Sequence, residues 1–184
     1  TLADLGCHRD LAEKNLPPGC RDPRPRVYLA PSRPRQGTTK ENRMKNVVLV
    51  GISHLEQRAQ DLAEAKEPVE LMIDAVRQAA SDAGSAGVLQ ASSVRVIRGI
   101  WPYQNPAKAV AEAIGARGAE TVLSAFGGNF VQTCVNVSVQ DIQSGQHDII
   151  ILTGAECGNT QAKAAKADVD LSWATLPGTP DRFI

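Results

Sequence analysis

Aromatic side chains are scarce, 4% of 184 residues, too few to build a base-stacking surface for single-stranded nucleic acid. Neither sign of charge dominates: 20 Lys and Arg balance 20 Asp and Glu. No nucleic-acid partner is therefore expected. No apolar run approaches the ~20 residues of a membrane span, and no basic stretch followed by an apolar one marks a secretory signal. The four cysteines, Cys7, Cys20, Cys134 and Cys157, form no C-x-x-C pair and have no metal-ligand spacing. No metal site is expected, and reduced thiols in a cytoplasmic protein are the natural reading. Also missing are G-x-x-x-x-G-K-[ST], G-x-G-x-x-G after the first apolar run, and G-x-S-x-G. Those absences argue against a P-loop, a dinucleotide fingerprint and a hydrolase elbow.

The even charge conceals two kinds of sequence. Residues 1–43 carry 9 Lys and Arg against 5 Asp and Glu, and 6 of the 11 prolines. Pro17, Pro18, Pro23, Pro25, Pro31 and Pro34 interrupt helices and remove strand donors, and no apolar period is present. Such a segment cannot bury enough apolar surface to offset its ordering entropy. Residues 1–43 are expected to be a disordered basic leader. The other readings are a basic arm for RNA or an acidic lipid surface, or sequence upstream of a translation start at Met44.

From Met44 the pattern turns regular. Val47-Val48-Leu49-Val50-Gly51-Ile52 predicts a strand buried on both faces. Pro68 opens a helix whose apolar positions are Val69, Met72, Ile73, Val76, Ala80 and Ala83, with Gly84 as its left-handed stop. Val94–Ile100 alternates as a strand. Asn105-Pro106 caps a second helix ending at Gly115, and Thr121–Phe126 is a third strand. Gly127-Gly128-Asn129 turns into a third helix with Val131, Cys134, Val135, Ser138, Val139 and Ile142 as its buried stripe. Asp148–Leu152 is the fourth strand, leading to Gly154-Ala155-Glu156. Short connections and right-handed crossovers make this β-α-β-α-β-α-β series an α/β unit with a parallel sheet and packed helices. Residues 157–184, small and polar, read as a loop excursion from a chain cut after Ile184.

Few residues suggest chemistry. His54 follows the first predicted strand and reads as a loop histidine, although the carboxyl end of a parallel strand is where a crevice forms. His147 lies in a Gly-Gln-His-Asp turn at the other end of the sheet and reads as solvated. Cys134 falls on an apolar stripe, where a thiol is inert packing. Cys157 follows a strand, a position that allows exposure, with no base beside it. The strongest local signal is Gly127-Gly128-Asn129-Phe130, where a strand passes through two glycines into a helix N-terminus. Bare backbone can approach a ligand there, and a helix N-terminus favours negative charge. The same glycines would also serve plain tight packing of helix on strand.

The stretch GGNFVQTCVNVSVQDIQSGQHDIIILTGAE, from Gly127 to Glu156, resembles the thiolase superfamily, in which a helix ending in a small residue and Gly leads to a strand closing on Gly-x-Glu. VVLVGI and PVELMIDAVRQAASDAG, before it, resemble that family's first strand and first helix, and LPGTPDR resembles the start of its loop domain. The resemblance covers about residues 46–182 and is to the thiolase-like branch described as acetyl-CoA acetyltransferases. It implies a thiolase-like N-terminal half over residues 44–156, with residues 157–184 opening the loop domain. It also implies acyl transfer from coenzyme A thioesters, with CoA thioester as substrate and no bound cofactor, a place in lipid metabolism, and a homodimer.

Counting back from Gly145 by the family's spacing puts its nucleophilic cysteine position at Gly128, which has no thiol. Cys134 is six residues further on, about 240° around a helix at ~100° per residue. The catalytic residue is thus left unassigned, with Cys134 and Cys157 as minor candidates. Gly127, Gly128, Asn129 and Phe130 are the expected substrate-binding residues. Two alternatives stay open: a non-catalytic acyl-CoA or lipid-binding member, and a Rossmann-like nucleotide binder.

Overall fold

The structure, a computed structural model, describes residues 46–184. The leader reading of residues 1–43 lies outside the described residues. Among the described residues, eight α-helices and strands follow in order: α1 (Pro68–Asp82), β1 (Ser93–Val96), α2 (Pro106–Ile114), β2 (Glu120–Leu123), α3 (Phe130–Ser144), β3 (Ile150–Thr153), α4 (Gly158–Ala167) and β4 (Arg182–Phe183), with short 3-10 turns at Leu62–Glu64 and Ala86–Leu89. The four strands make one all-parallel sheet in the order β3-β1-β2-β4.

The helix limits follow from local chemistry. The Glu67 N–H donates to the Glu70 carboxylate ahead of Pro68 at the first helical position of α1. The Asn105 side-chain oxygen accepts from the Lys108 N–H at the head of α2. Gly115 and Gly145 end α2 and α3 at φ values of 87° and 80°, a region where a Cβ is strained.

Alternation along the strands sorts the helices onto two faces. Val94, Val96 and Leu123 pack against Val69, Met72 and Val76 of α1 and Val110 and Ala111 of α2, forming the apolar core. Arg95, between Val94 and Val96, points the other way and meets Ser138 and Asp141 of α3. So α1 and α2 share one face and α3 covers the other, as right-handed crossovers require.

Three expectations need correction. Val47–Ile52 is not a strand: β1 and β3 pair directly with each other, and the run lies outside the sheet, with Val48 71% and Leu49 81% exposed. It is tethered to α1 by the Ile52 N–H on the Asp82 carboxylate and the Ser53 hydroxyl on the Ala75 carbonyl. The buried side of α3 is Cys134, Ser138 and Asp141, whereas Val131 and Val135 are exposed. The reason is the buried Arg95, which draws the polar side of the helix inward. Finally, residues 157–184, expected as loop, contain α4 and a two-residue strand, β4, paired parallel with β2.

Candidate functional site

The loop leaving β1 runs to α2 on one face, while the loop leaving β2 runs to α3 on the other. Diverging loops open a crevice at the carboxyl ends of the strands, where open α/β sheets take their ligands. The crevice encloses about 460 Å³. Ile97, Arg98 and Gly99 after β1, Phe126, Gly127 and Gly128 after β2, Val131 of α3, and Gly154, Ala155 and Glu156 after β3 form its walls.

Hydrogen bonds fasten these loops together. Glu156 Oε1 accepts from the Ile100 N–H at 2.9 Å, Trp101 Nε1 donates to the Ala155 carbonyl at 3.1 Å, and Gln161 Nε2 donates to the Ile100 carbonyl at 2.9 Å. A Cβ on Gly99 would overlap both Trp101 Nε1 and the Glu156 carboxylate. The Arg98 N–H donates to Ser124 Oγ at 2.9 Å, joining the first wall to the second. The Arg98 side chain is exposed and forms no ion pair among the described residues.

Of the four residues expected to bind substrate, the structure brings Gly127 and Gly128 to the crevice, and Asn129 and Phe130 lie beyond its lining. Gly127 has φ 144°, and a Cβ there would meet Asn129 Oδ1 at 2.9 Å. Nothing lies within 4 Å of where a Cβ on Gly128 would sit, so that position faces open space. The Phe130 N–H is taken by the Gly127 carbonyl at 3.1 Å and is not free for a ligand. Asn129 stands at the N-cap of α3 without capping it.

Neither cysteine reaches the crevice. Cys134 is wholly buried beneath α3, and burial pushes its thiol up, with Arg95 opposing only in part. Cys157 is buried at the N-cap of α4, with Sγ 3.8 Å from the Lys66 carbonyl oxygen. Burial, and then the Glu156 charge, push its thiol up as well. Both thiols are held protonated, the opposite of what an attacking thiolate requires.

His54 is exposed on the segment after Ile52. His147 is not solvated as expected. Its Nδ1 lies 3.1 Å from Ser92 Oγ and its Nε2 3.1 Å from Glu120 Oε2, at the amino end of the sheet and away from the crevice. Sequence reasoning passed over Arg98, Gly99 and Glu156 as site residues. The signal was available in the residues just past each strand, because a parallel sheet gathers those positions at one edge.

A wider cleft of about 890 Å³ lies between residues 60–70 and 169–173. Its carboxylates are engaged locally: Asp61 by the Ala63 N–H, Glu67 by the Tyr103 hydroxyl and the Ala174 N–H, Glu70 by the Glu67 N–H, and Asp170 by the Ser172 N–H. Among the described residues no cluster of three or more His, Cys, Asp or Glu is arranged to hold a metal ion, and no helix is long and apolar enough to cross a membrane. No protein-family model, curated protein or solved structure matches the chain.

Proposed function

We propose that the chain is a thiolase-like half-domain that binds a coenzyme A thioester in the crevice and serves acyl transfer without itself forming an acyl-cysteine. The observation that carries this reading is the Gly127-Gly128 turn, which opens Cβ-free backbone onto a crevice at the carboxyl ends of three parallel strands, at the head of the fifteen-residue helix α3. A thioester carbonyl needs donors where its oxygen gains charge, and backbone beside a helix N-terminus supplies them. Arg98, exposed at the same crevice and without an ion pair among the described residues, suits a phosphate of the CoA moiety. The protonated, buried state of Cys134 and Cys157 favours binding without covalent capture over the usual family chemistry.

Calorimetric titration of the full chain with acetyl-CoA and with NAD tests the reading. Acetyl-CoA should bind, NAD should not, and peptide mass spectrometry after incubation should find no acetyl group on Cys134 or Cys157. Gly128→Val fills open crevice space, so it should weaken acetyl-CoA binding by about tenfold, near 1.4 kcal/mol. An adduct on either cysteine would overturn the non-covalent reading. Binding of NAD alone would favour the nucleotide-binding alternative. The homodimer implied by the resemblance belongs to the same proposal and is read by sedimentation velocity.

A further inference from the structure

The run Val47–Ile52 has the composition of a buried strand, yet it lies outside the sheet with Val48, Leu49, Val50 and Ile52 all more than half exposed. Beside it the sheet is unfinished. β3 is a terminal strand, and among the described residues no strand pairs with its outer edge. The Ile97 N–H bonds the Thr153 carbonyl on the inner side, so the alternation of a parallel ladder turns the peptide groups of Ile150 and Leu152 outward. Between the run and this edge is an apolar trench of about 410 Å³, lined by residues 48–53, α1 and Ile149–Gly154.

The side chains on the two sides of the trench fit a strand. Gly51 already lies against Ala79 and Ala83 of α1, where any Cβ would overlap the Ala79 carbonyl. In a strand Val48, Val50 and Ile52 would alternate to the other side, where Val131, Val135 and Leu152 are exposed. An open edge strand and an unpartnered β-branched run next to each other are both costly, and each is what the other lacks.

We infer that Val47–Ile52 closes onto the outer edge of β3 as a fifth strand, parallel to it, and that closure brings Ser53 and His54 to the rim of the crevice. The direction follows from the contacts along α1: Gly51 lies against Ala79 and Ala83 and Ser53 reaches the Ala75 carbonyl, so the run advances against α1, as the strands of the sheet do. Gly154 and Val131 line both the trench and the crevice, so the two are continuous. This inference does not depend on the acyl-CoA reading, and its test uses no ligand.

Hydrogen exchange of the full chain, followed by mass spectrometry, reads closure directly. Alternate amides within residues 48–51, those turned toward β3, should exchange at least about 100-fold more slowly than those of residues 55–60, while the Ile52 amide, already bonded to Asp82, is left out of the comparison. That protection should persist on ~100-fold dilution, because an intramolecular strand is independent of concentration. Cysteine pairs joining Leu152→Cys to Val48→Cys, Val50→Cys or Ile52→Cys should yield an intramolecular disulfide in one register. With the strand closed, Glu156→Gln should shift the ring resonances of His54. Fast exchange throughout 48–51 with no disulfide in any pair would overturn the inference. So would protection or disulfides that vanish on dilution, since the occupant of the edge would then be a second copy. Unmoved His54 resonances would overturn the placement of His54 at the crevice.

Discussion

Toward α1 and α2 the sheet presents Val94, Val96 and Leu123 to a dry core that includes Met72, Val76, Tyr103 and Val110. Toward α3 it presents Ser93, Arg95 and Glu120 instead. The wholly buried Arg95 guanidinium pairs with Asp141 at 2.5 Å and bonds Ser138 Oγ at 3.0 Å and Ser93 Oγ at 3.2 Å. Arg182 of β4 reaches the same Asp141 carboxylate at 2.8 Å. One face holds its helices by apolar burial, which tolerates small shifts. The other holds α3 by directed bonds to a charge, which fix its position along the sheet. The Gly127-Gly128 turn leads into α3, so this polar fastening also sets where the turn sits over the crevice.

Removing one partner of the buried pair should have the largest effect. Asp141→Ala takes the nearest carboxylate from the buried Arg95 and should cost about 3–5 kcal/mol in urea unfolding of the full chain, whereas Arg95→Met with Asp141→Leu should recover most of that loss. A double variant as unstable as the single one would show that the pair does more than balance its own burial. On the apolar face, Met72→Ala should cost about 2–5 kcal/mol with no remedy from a charge change.

Tyr103→Phe is expected to cost about 1–3 kcal/mol, because it removes the hydroxyl that donates to Glu67 and accepts from the Val69 N–H. Arg182 is about a third exposed, so Arg182→Gln should cost no more than ~1 kcal/mol, well below the loss at its shared partner Asp141.

Acid should single out the polar face. Burial pushes the Asp141 carboxyl up, but the hydrogen bonds and charges of Arg95 and Arg182 overrule it and hold the group below the ordinary aspartate value. A depressed carboxylate contributes stability above its unfolded pKa of about 4, and that contribution is lost as pH falls through the lower, folded value. Stability of the wild type should therefore drop in that acid range, and the Asp141-free double variant should show a shallower drop. Equal slopes would place the acid sensitivity elsewhere.

The helix limits were legible because their signals are local: Pro68, Asn105-Pro106, and the glycines at 84, 115 and 145. The alternating run after Ala91 was legible as a strand for the same reason. The Arg95–Asp141 pair was not, because its members lie 46 residues apart and neither position breaks a local rule. β4 escaped because two residues carry no period. The exposed Val47–Ile52 shows the converse limit, since composition announces a strand without saying which edge it joins. At the site, the two glycines of the turn were visible as a pair. Arg98 and Glu156 were not, because only the topology brings the ends of separate strands together.

The spacing of Arg95 and Asp141 also has a consequence in time. As the chain leaves the ribosome, Arg95 emerges behind α1, and its carboxylate partner is still 46 residues from emerging. At about 5–20 residues per second, that is a wait of roughly 2–9 s. Through that interval β1 and β2 can pair and bury Val94 and Val96 on one side while the guanidinium on the other stays in water. Burial of Arg95, and with it the seating of α3, is deferred until synthesis has passed Asp141.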